Sequence, residues 1–229
     1  MQDSMLAILG SSFSRSNWLK KSLSAVEADL LETNPVSGRR TRLPEQARRA
    51  LRALKAAKIP HAVIGAAALA ARGLPRMTKD LDIVVLIDDA FEALNSLRKA
   101  GFRSATPVKQ SESPEPMYVL THQGSEVDLL VAAGEPEWTV INEAPSTRIF
   151  GMAAPVAALE HLLLMYLYSN QPRHMGDFAR IVTETDADLA KVVRFLREVH
   201  PEMLTIFRER VRNAKQPPPP PPRPKPVKK

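Results

Sequence analysis

Cysteine is absent from the 229 residues of this chain. That excludes disulfide scaffolds, thiolate zinc sites and cysteine nucleophiles, and it makes a reducing compartment, the cytoplasm, the expected location. Long apolar runs are missing too. The run at residues 162–168 falls far short of the roughly 20 residues a membrane-spanning helix needs, so no membrane partner is expected. Neither a Walker A loop nor a dinucleotide-binding glycine pattern occurs. No serine sits in a Gly-x-Ser-x-Gly setting, which leaves serine-hydrolase chemistry without support. The five histidines include no His-x₃-His pair, so a histidine metal centre is not expected. Net positive charge is small outside the C-terminus: of a formal net charge of +7, Lys215, Arg223, Lys225, Lys228 and Lys229 supply five. The basic character therefore belongs to a tail and not to a nucleic-acid-binding fold.

What is present suits a folded domain, since 44% apolar residues can bury a substantial core. Residues 1–43 form an N-terminal extension in which Trp18, Leu19, Leu23, Val26, Leu30 and Leu31 mark an amphipathic helix. Residues 44–150 read as a mixed α/β core. A helix over 44–58 leads to an apolar strand at 61–64, closed by Gly65, and an alanine-rich helix follows to Gly73. The most strand-like run begins at Asp80 and ends near Ile87. Asp88 and Asp89 then look like a helix cap, and residues 118–120 and 127–131 flank Gln123-Gly124 as a hairpin. Residues 151–213 read as four helices, beginning near Val156, Pro172, Asp186 and Pro201. The fold class is thus α/β of the α+β kind, a mixed sheet flanked by helices and followed by a helical bundle. Residues 214–229, holding eight of the twenty prolines, read as a disordered, extended polyproline II tail with basic ends. Such a tail can dock in aromatic grooves, grip phosphates or simply solubilise the chain.

The chemistry concentrates in acids. In a strand, positions i and i+2 share a face, so Asp80 and Asp82 project side by side while Leu81, Ile83 and Val85 enter the core. Two carboxylates held that way repel each other unless a cation lies between them, and a hard divalent ion such as Mg²⁺ suits them. Asp128, also flanked by apolar residues on a strand, joins them if its strand is a neighbour. Three converging carboxylates meet the requirement of a two-metal phosphoryl-transfer site. Asp186-Ala-Asp188 has the same spacing but stands at a helix start, where a cap is the expected role. Glu126 shares a face with Asp128 and reads as a solvated neighbour. Trp138 is read as packing in a loop-to-strand region.

Residues 64–70, Ile-Gly-Ala-Ala-Ala-Leu-Ala, followed by Gly73-Leu-Pro-Arg76-Met-Thr78-Lys-Asp80-Leu-Asp82-Ile, resemble the signature of the DNA polymerase β-type nucleotidyltransferase superfamily. The likeness is nearest to its minimal, AbiEii-like and toxin–antitoxin-associated branch. It spans about residues 46–132 and, more loosely, runs to about 185. The resemblance implies a nucleotidyltransferase palm in which Asp80 and Asp82 bind two Mg²⁺ or Mn²⁺ ions, with Asp128 as third ligand and base. By the same resemblance, Gly65 and Ala66 contact the β and γ phosphates of an NTP, and Arg76 and Thr78 line the nucleotide site. The family's turn is usually Gly-Gly or Gly-Ser, so Gly65-Ala66 lacks one hydroxyl contact. Relatives often carry a lysine in the helix matching residues 156–169, where this chain has Glu160 and His161, and then an Arg-x-Lys-Asp run. The run here is Arg173-His-Met-Gly-Asp177.

The resemblance thus implies metal-dependent transfer of a nucleoside monophosphate from an NTP to a hydroxyl acceptor, an RNA or tRNA end or a protein. A toxin–antitoxin role with a cognate antitoxin or toxin protein as partner comes with it. The alternative is a catalytically degenerate module of the same fold that binds nucleotide or a protein partner. Retention of three mutually repelling acids favours the enzyme.

Overall fold

The computed structural model describes residues 43–105, 108–109, 113–169 and 171–216. The expected N-terminal helix around residues 18–31 and the tail from Pro217 lie outside the described residues. The chain divides into two compact units, with the division between Ala158 and Leu159.

The first unit opens with α1 (Leu43–Ala56). Its alanines, leucines and arginines are strong helix formers. Leu43, Ala47, Ala50, Leu51 and Leu54 recur at helical spacing as its buried stripe. The helix closes with Lys58 at a φ of 58° and the Ile59 amide donating to the Leu54 carbonyl at 3.0 Å, a closure that usually falls to glycine. Next come β1 (His61–Val63), α2 (Gly65–Ala71), β2 (Asp80–Leu86), a 3₁₀ turn (Ile87–Asp89) and α3 (Ala90–Lys99). They are followed by β3 (Arg103–Ser104), β4 (Met117–His122), β5 (Ser125–Ala132), α4 (Glu137–Glu143), β6 (Ser146–Ile149) and β7 (Met152–Pro155).

Five strands make one mixed sheet in the order β1-β2-β5-β4-β3. Only β2 and β5 run parallel; the other neighbours are antiparallel. Leu81, Ile83 and Val85 on β2 and Val127 and Leu129 on β5 are fully or almost fully buried, and α1 packs against both strands. The β4–β5 turn is the expected Gln123-Gly124, with φ of 49° and 81°. Positive φ at both central residues matches the right-handed twist of the strands it joins.

Several elements differ from the sequence reading. β6 and β7 form a second hairpin whose turn, Phe150-Gly151, also has two positive φ values, 49° and 75°. Arg48 Nη1 donates to the Phe150 carbonyl at 3.3 Å and holds that turn. β7 is followed by a bridge between Val156 and Val63, so the helix expected from residue 156 starts only at Leu159. Trp138 lies in the first turn of α4, 42% exposed, not in a loop-to-strand segment. Asp89 precedes α3 with helical dihedrals and makes no side-chain cap bond. The 3₁₀ turn keeps its backbone out of the extended conformation from which a cap reaches the next amides.

The second unit contains α5 (Leu159–Tyr168), α6 (Pro172–Glu184), α7 (Leu189–Val199), a 3₁₀ turn (Pro201–Met203) and α8 (Leu204–Ala214). Asp188 caps α7 by accepting from the Lys191 amide at 2.9 Å, while its own amide donates to Glu160 Oε1 at 2.7 Å. Phe178 and Phe207 meet edge to face inside the unit, with centroids 5.9 Å apart. No helix among the described residues is long and apolar enough to cross a membrane.

Candidate active site

The parallel register of β2 and β5 sets Asp80 opposite Glu126 and Asp82 opposite Asp128. Paired residues of adjacent strands share a face, with the backbones about 4.8 Å apart, and i, i+2 neighbours lie roughly 6.6 Å apart along a strand. Asp80, Asp82 and Asp128 therefore occupy neighbouring positions on one face of the sheet, at the start of β2. All three are half-buried, whereas Leu81 between the first two and Val127 and Leu129 beside the third are fully buried. That alternation pins the register, since a slip of one residue would drive Asp128 into the core.

Gly65 belongs to the same site. The Ile64 amide donates to the Asp82 carbonyl at 3.0 Å, and the chain then leaves the sheet through Gly65 at a φ of 61°. A Cβ at residue 65 would lie 2.0 Å from Asp82 Oδ2. Glycine is required twice over, by backbone conformation and by the carboxylate lying against it. α2 begins there without a side-chain cap, because Ile64 has none to offer. Its first amides, Gly65 and Ala66, thus stand at the positive end of a short helix beside the Asp82 carboxylate. Ala66 itself is fully buried.

Thr78 positions the first acid: its hydroxyl donates to Asp80 Oδ1, and its oxygen accepts from the Asp80 amide at 3.4 Å. Arg76 is half-buried, and its Nη1 donates to the Met77 carbonyl at 3.3 Å, within its own loop. Glu126 is not merely solvated; Lys79 Nζ lies 3.3 Å from its Oε2. Two residues that the sequence did not single out support the turn and strand. Lys79 is one. The other is Arg72 at the end of α2, whose Nε and Nη2 donate to the carbonyls of Ala157 at 3.0 Å and Val156 at 2.7 Å. These contacts, with the Ala157 amide donating to Val63 at 2.9 Å, close the free edge of β1 next to Gly65. An arginine ending an alanine-rich helix was the available signal.

Among the described residues, no three His, Asp or Glu side chains are gathered as a metal-holding group. The backbone brings three acids to one place, but Asp80 is engaged by Thr78 and Asp82 lies on Gly65. The donor set is nonetheless hard carboxylate oxygen, the chemistry that suits Mg²⁺ or Mn²⁺. Arg173 and Asp177 belong to the second unit. Arg173 is exposed and bonds Gln171 Oε1 at 2.8 Å, and Asp177 is buried in α6.

No family model and no curated protein matches the chain. Solved structures do. It is similar to the antibiotic-resistance factor ANT(2'')-Ia in solution, with 17% identity over 74% of this chain and 91% of that one and a TM-score of 0.44. It is also similar to TM1012 of Thermotoga maritima, with 19% identity over 62% of this chain and 92% of that one and a TM-score of 0.46. A third likeness is to terminal uridylyl transferase 4 of Trypanosoma brucei with bound GTP, with 17% identity over 49% of this chain and 34% of that one and a TM-score of 0.27.

Proposed function

We propose that the first unit transfers a nucleoside monophosphate from an NTP to an acceptor hydroxyl, using Asp80, Asp82 and Asp128 as its catalytic acids. The observation that carries this reading is the β2–β5 register, in which Asp82 and Asp128 are direct neighbours and Asp80 follows on the same face. Like charges so placed are destabilising without a compensating cation, and the donor set fits two Mg²⁺ or Mn²⁺ ions. Bound there, such ions supply Lewis-acid stabilisation of the charge that develops on phosphate oxygens.

Asp80 and Asp82 would hold the ions, with Asp128 as the third ligand. Asp128 takes the proton of the acceptor hydroxyl as the acceptor oxygen attacks the α-phosphorus in line. The α–β bridging P–O bond breaks and pyrophosphate leaves. Gly65 is half-buried and its amide faces the leaving phosphates, where an uncapped helix start favours anions, while the fully buried Ala66 backs the turn. Arg76 and Thr78 line the nucleotide. The acceptor class is an RNA end or a protein side chain. The likeness of the signature to the toxin–antitoxin-associated branch makes a cognate toxin or antitoxin the proposed partner.

One observation favours a second reading, a degenerate module that binds nucleotide without turning it over: no three acidic side chains are gathered among the described residues. Label transfer separates the two. Each of four α-³²P NTPs is incubated with the full chain, Mg²⁺ or Mn²⁺, and cell RNA and protein. Label that disappears with Asp80→Ala/Asp82→Ala is the expected result. Nucleotide binding with no label from any NTP supports the module instead.

A further inference from the structure

A concave site occupies the opposite end of the same strands. His61 opens β1 and pairs with Val85 near the end of β2, while Val63 pairs with Ile83 next to Asp82. At the His61 end, the last turn of α1, the start of β1, α4 and the β6–β7 hairpin enclose a groove of about 470 Å³. That is room for about fifteen waters at roughly 30 Å³ each, and it falls within the range of roughly 300–1,000 Å³ typical of small-molecule sites.

The groove has a consistent chemistry. Leu51, Ile141 and Met152 supply apolar wall, Lys55, Lys58 and His61 supply nitrogen, and no acid lines it. Among the described residues no ion pair engages either lysine. Lys58 holds its place in the left-handed region, at a φ of 58°, where glycine is the unstrained choice, and it lines the groove. His61 is 7% exposed, and its Nδ1–H donates to the Ile59 carbonyl at 2.7 Å. This fixes the ring's orientation at the groove. Burial lowers its pKa, the bond to Ile59 opposing in part, so the ring is neutral at pH 7 and the positive charge resides on the two lysines.

We propose that this groove binds a small amphipathic monocarboxylate, its carboxylate between Lys55 and Lys58 and its apolar body along Leu51, Ile141 and Met152. Two flexible ammonium groups over an apolar trough suit one anionic head on an apolar body. A cation finds no counter-charge there. The site is separate from the acid face and stands whether or not that face transfers nucleotides.

The test uses the full chain labelled with ¹³C in its methionine methyls and titrated with decanoate below its micelle concentration, with decylamine as the comparison. Met152 is assigned by Met152→Leu. The Met152 methyl is expected to shift saturably with decanoate, while the exposed Met77 and Met117 stay in place. In Lys55→Ala/Lys58→Gly the apparent Kd should rise at least tenfold, and Ala153→Trp, which fills the groove but keeps both lysines, should abolish the shift. If the double variant does not fold, Lys58→Gly alone decides, because glycine relieves the left-handed strain and its Tm should be no lower than the parent's. An unsaturable Met152 shift, an equal response to decylamine, or unchanged affinity in the lysine variants overturns the proposal.

Discussion

At the scale of single residues, Gly65 and Asp82 form one structural unit. Adding a methyl at residue 65 puts it 2.0 Å from Asp82 Oδ2 and 2.7 Å from Cγ, so the carboxylate has to swing away. The left-handed φ adds about 1–2 kcal/mol of strain for any other L-residue. Gly65→Ala should therefore lower stability by more than that strain alone, the carboxylate clash adding to it, and cut nucleotidyl transfer by about 10²-fold, the scale on which a misplaced catalytic group costs rate. In an Asp82→Ala background the carboxylate clash is gone, and the stability loss should shrink toward the backbone strain alone. Urea denaturation of all four proteins measures this; equal losses in both backgrounds would contradict the contact. His61 sets a pH dependence. Burial holds its pKa below the ordinary imidazole value, with the bond to the Ile59 carbonyl opposing in part. The unfolded chain takes up a proton near pH 6.5 that the folded protein accepts only at lower pH. Stability from this residue is thus complete above about pH 6.5 and is lost as pH falls below it toward the folded value. The urea midpoint should drop between pH 7.5 and pH 5.5, and His61→Asn should flatten the drop. A profile unchanged by the substitution would show that another group controls it.

At the scale of elements, the site depends on strand register and on what holds the β1 edge. Arg72 bridges α2 to the segment after β7 through two carbonyls. Hydrogen bonds of a charged group are worth about 1.5–3 kcal/mol each, discounted here because Arg72 is half-exposed, so Arg72→Ala should cost about 2 kcal/mol. Arg72→Lys should recover less than half of that, since an ammonium does not reproduce a planar fork. Chemical denaturation checks both, and a midpoint within error of the parent for Arg72→Ala would contradict the brace. The sequence revealed the elements whose signals are local. β2 showed in its alternation of acids and apolar residues, the β4–β5 hairpin in Gln123-Gly124, and the α7 cap in Asp188. It concealed those whose signals are tertiary. The Phe150-Gly151 turn places an aromatic residue in the left-handed region and is held by distant Arg48. α4 is built from Trp138, Thr139, Val140 and Ile141, residues that favour strands. The same division applies to the acids. Period-two spacing placed Asp80 with Asp82, but nothing local fixed β5 beside β2, and neither the Thr78 hydroxyl on Asp80 nor the Lys79–Glu126 pair had a readable pattern.

At the scale of the whole molecule, the first unit carries two chemically opposite ends on one sheet. Acids gather at the start of β2, and lysines with an apolar groove lie at its far end. The second unit is a helical cluster with its own buried rings and a capped α7, and most of the net positive charge belongs to Lys215 and the tail beyond it. The body's near neutrality means that binding to an RNA acceptor would draw little on long-range attraction from the fold itself. The central claim, that Asp80, Asp82 and Asp128 act as one metal–nucleotide site, is tested most directly by electron paramagnetic resonance. The full chain is titrated with Mn²⁺ in the presence of a non-hydrolysable NTP analogue. Two bound ions per chain are predicted, and Asp82→Ala or Asp128→Asn should each weaken binding by at least about tenfold, the lower end for disturbing even a metal's supporting residues. No bound Mn²⁺, or binding that is the same in the parent and both variants, would contradict it.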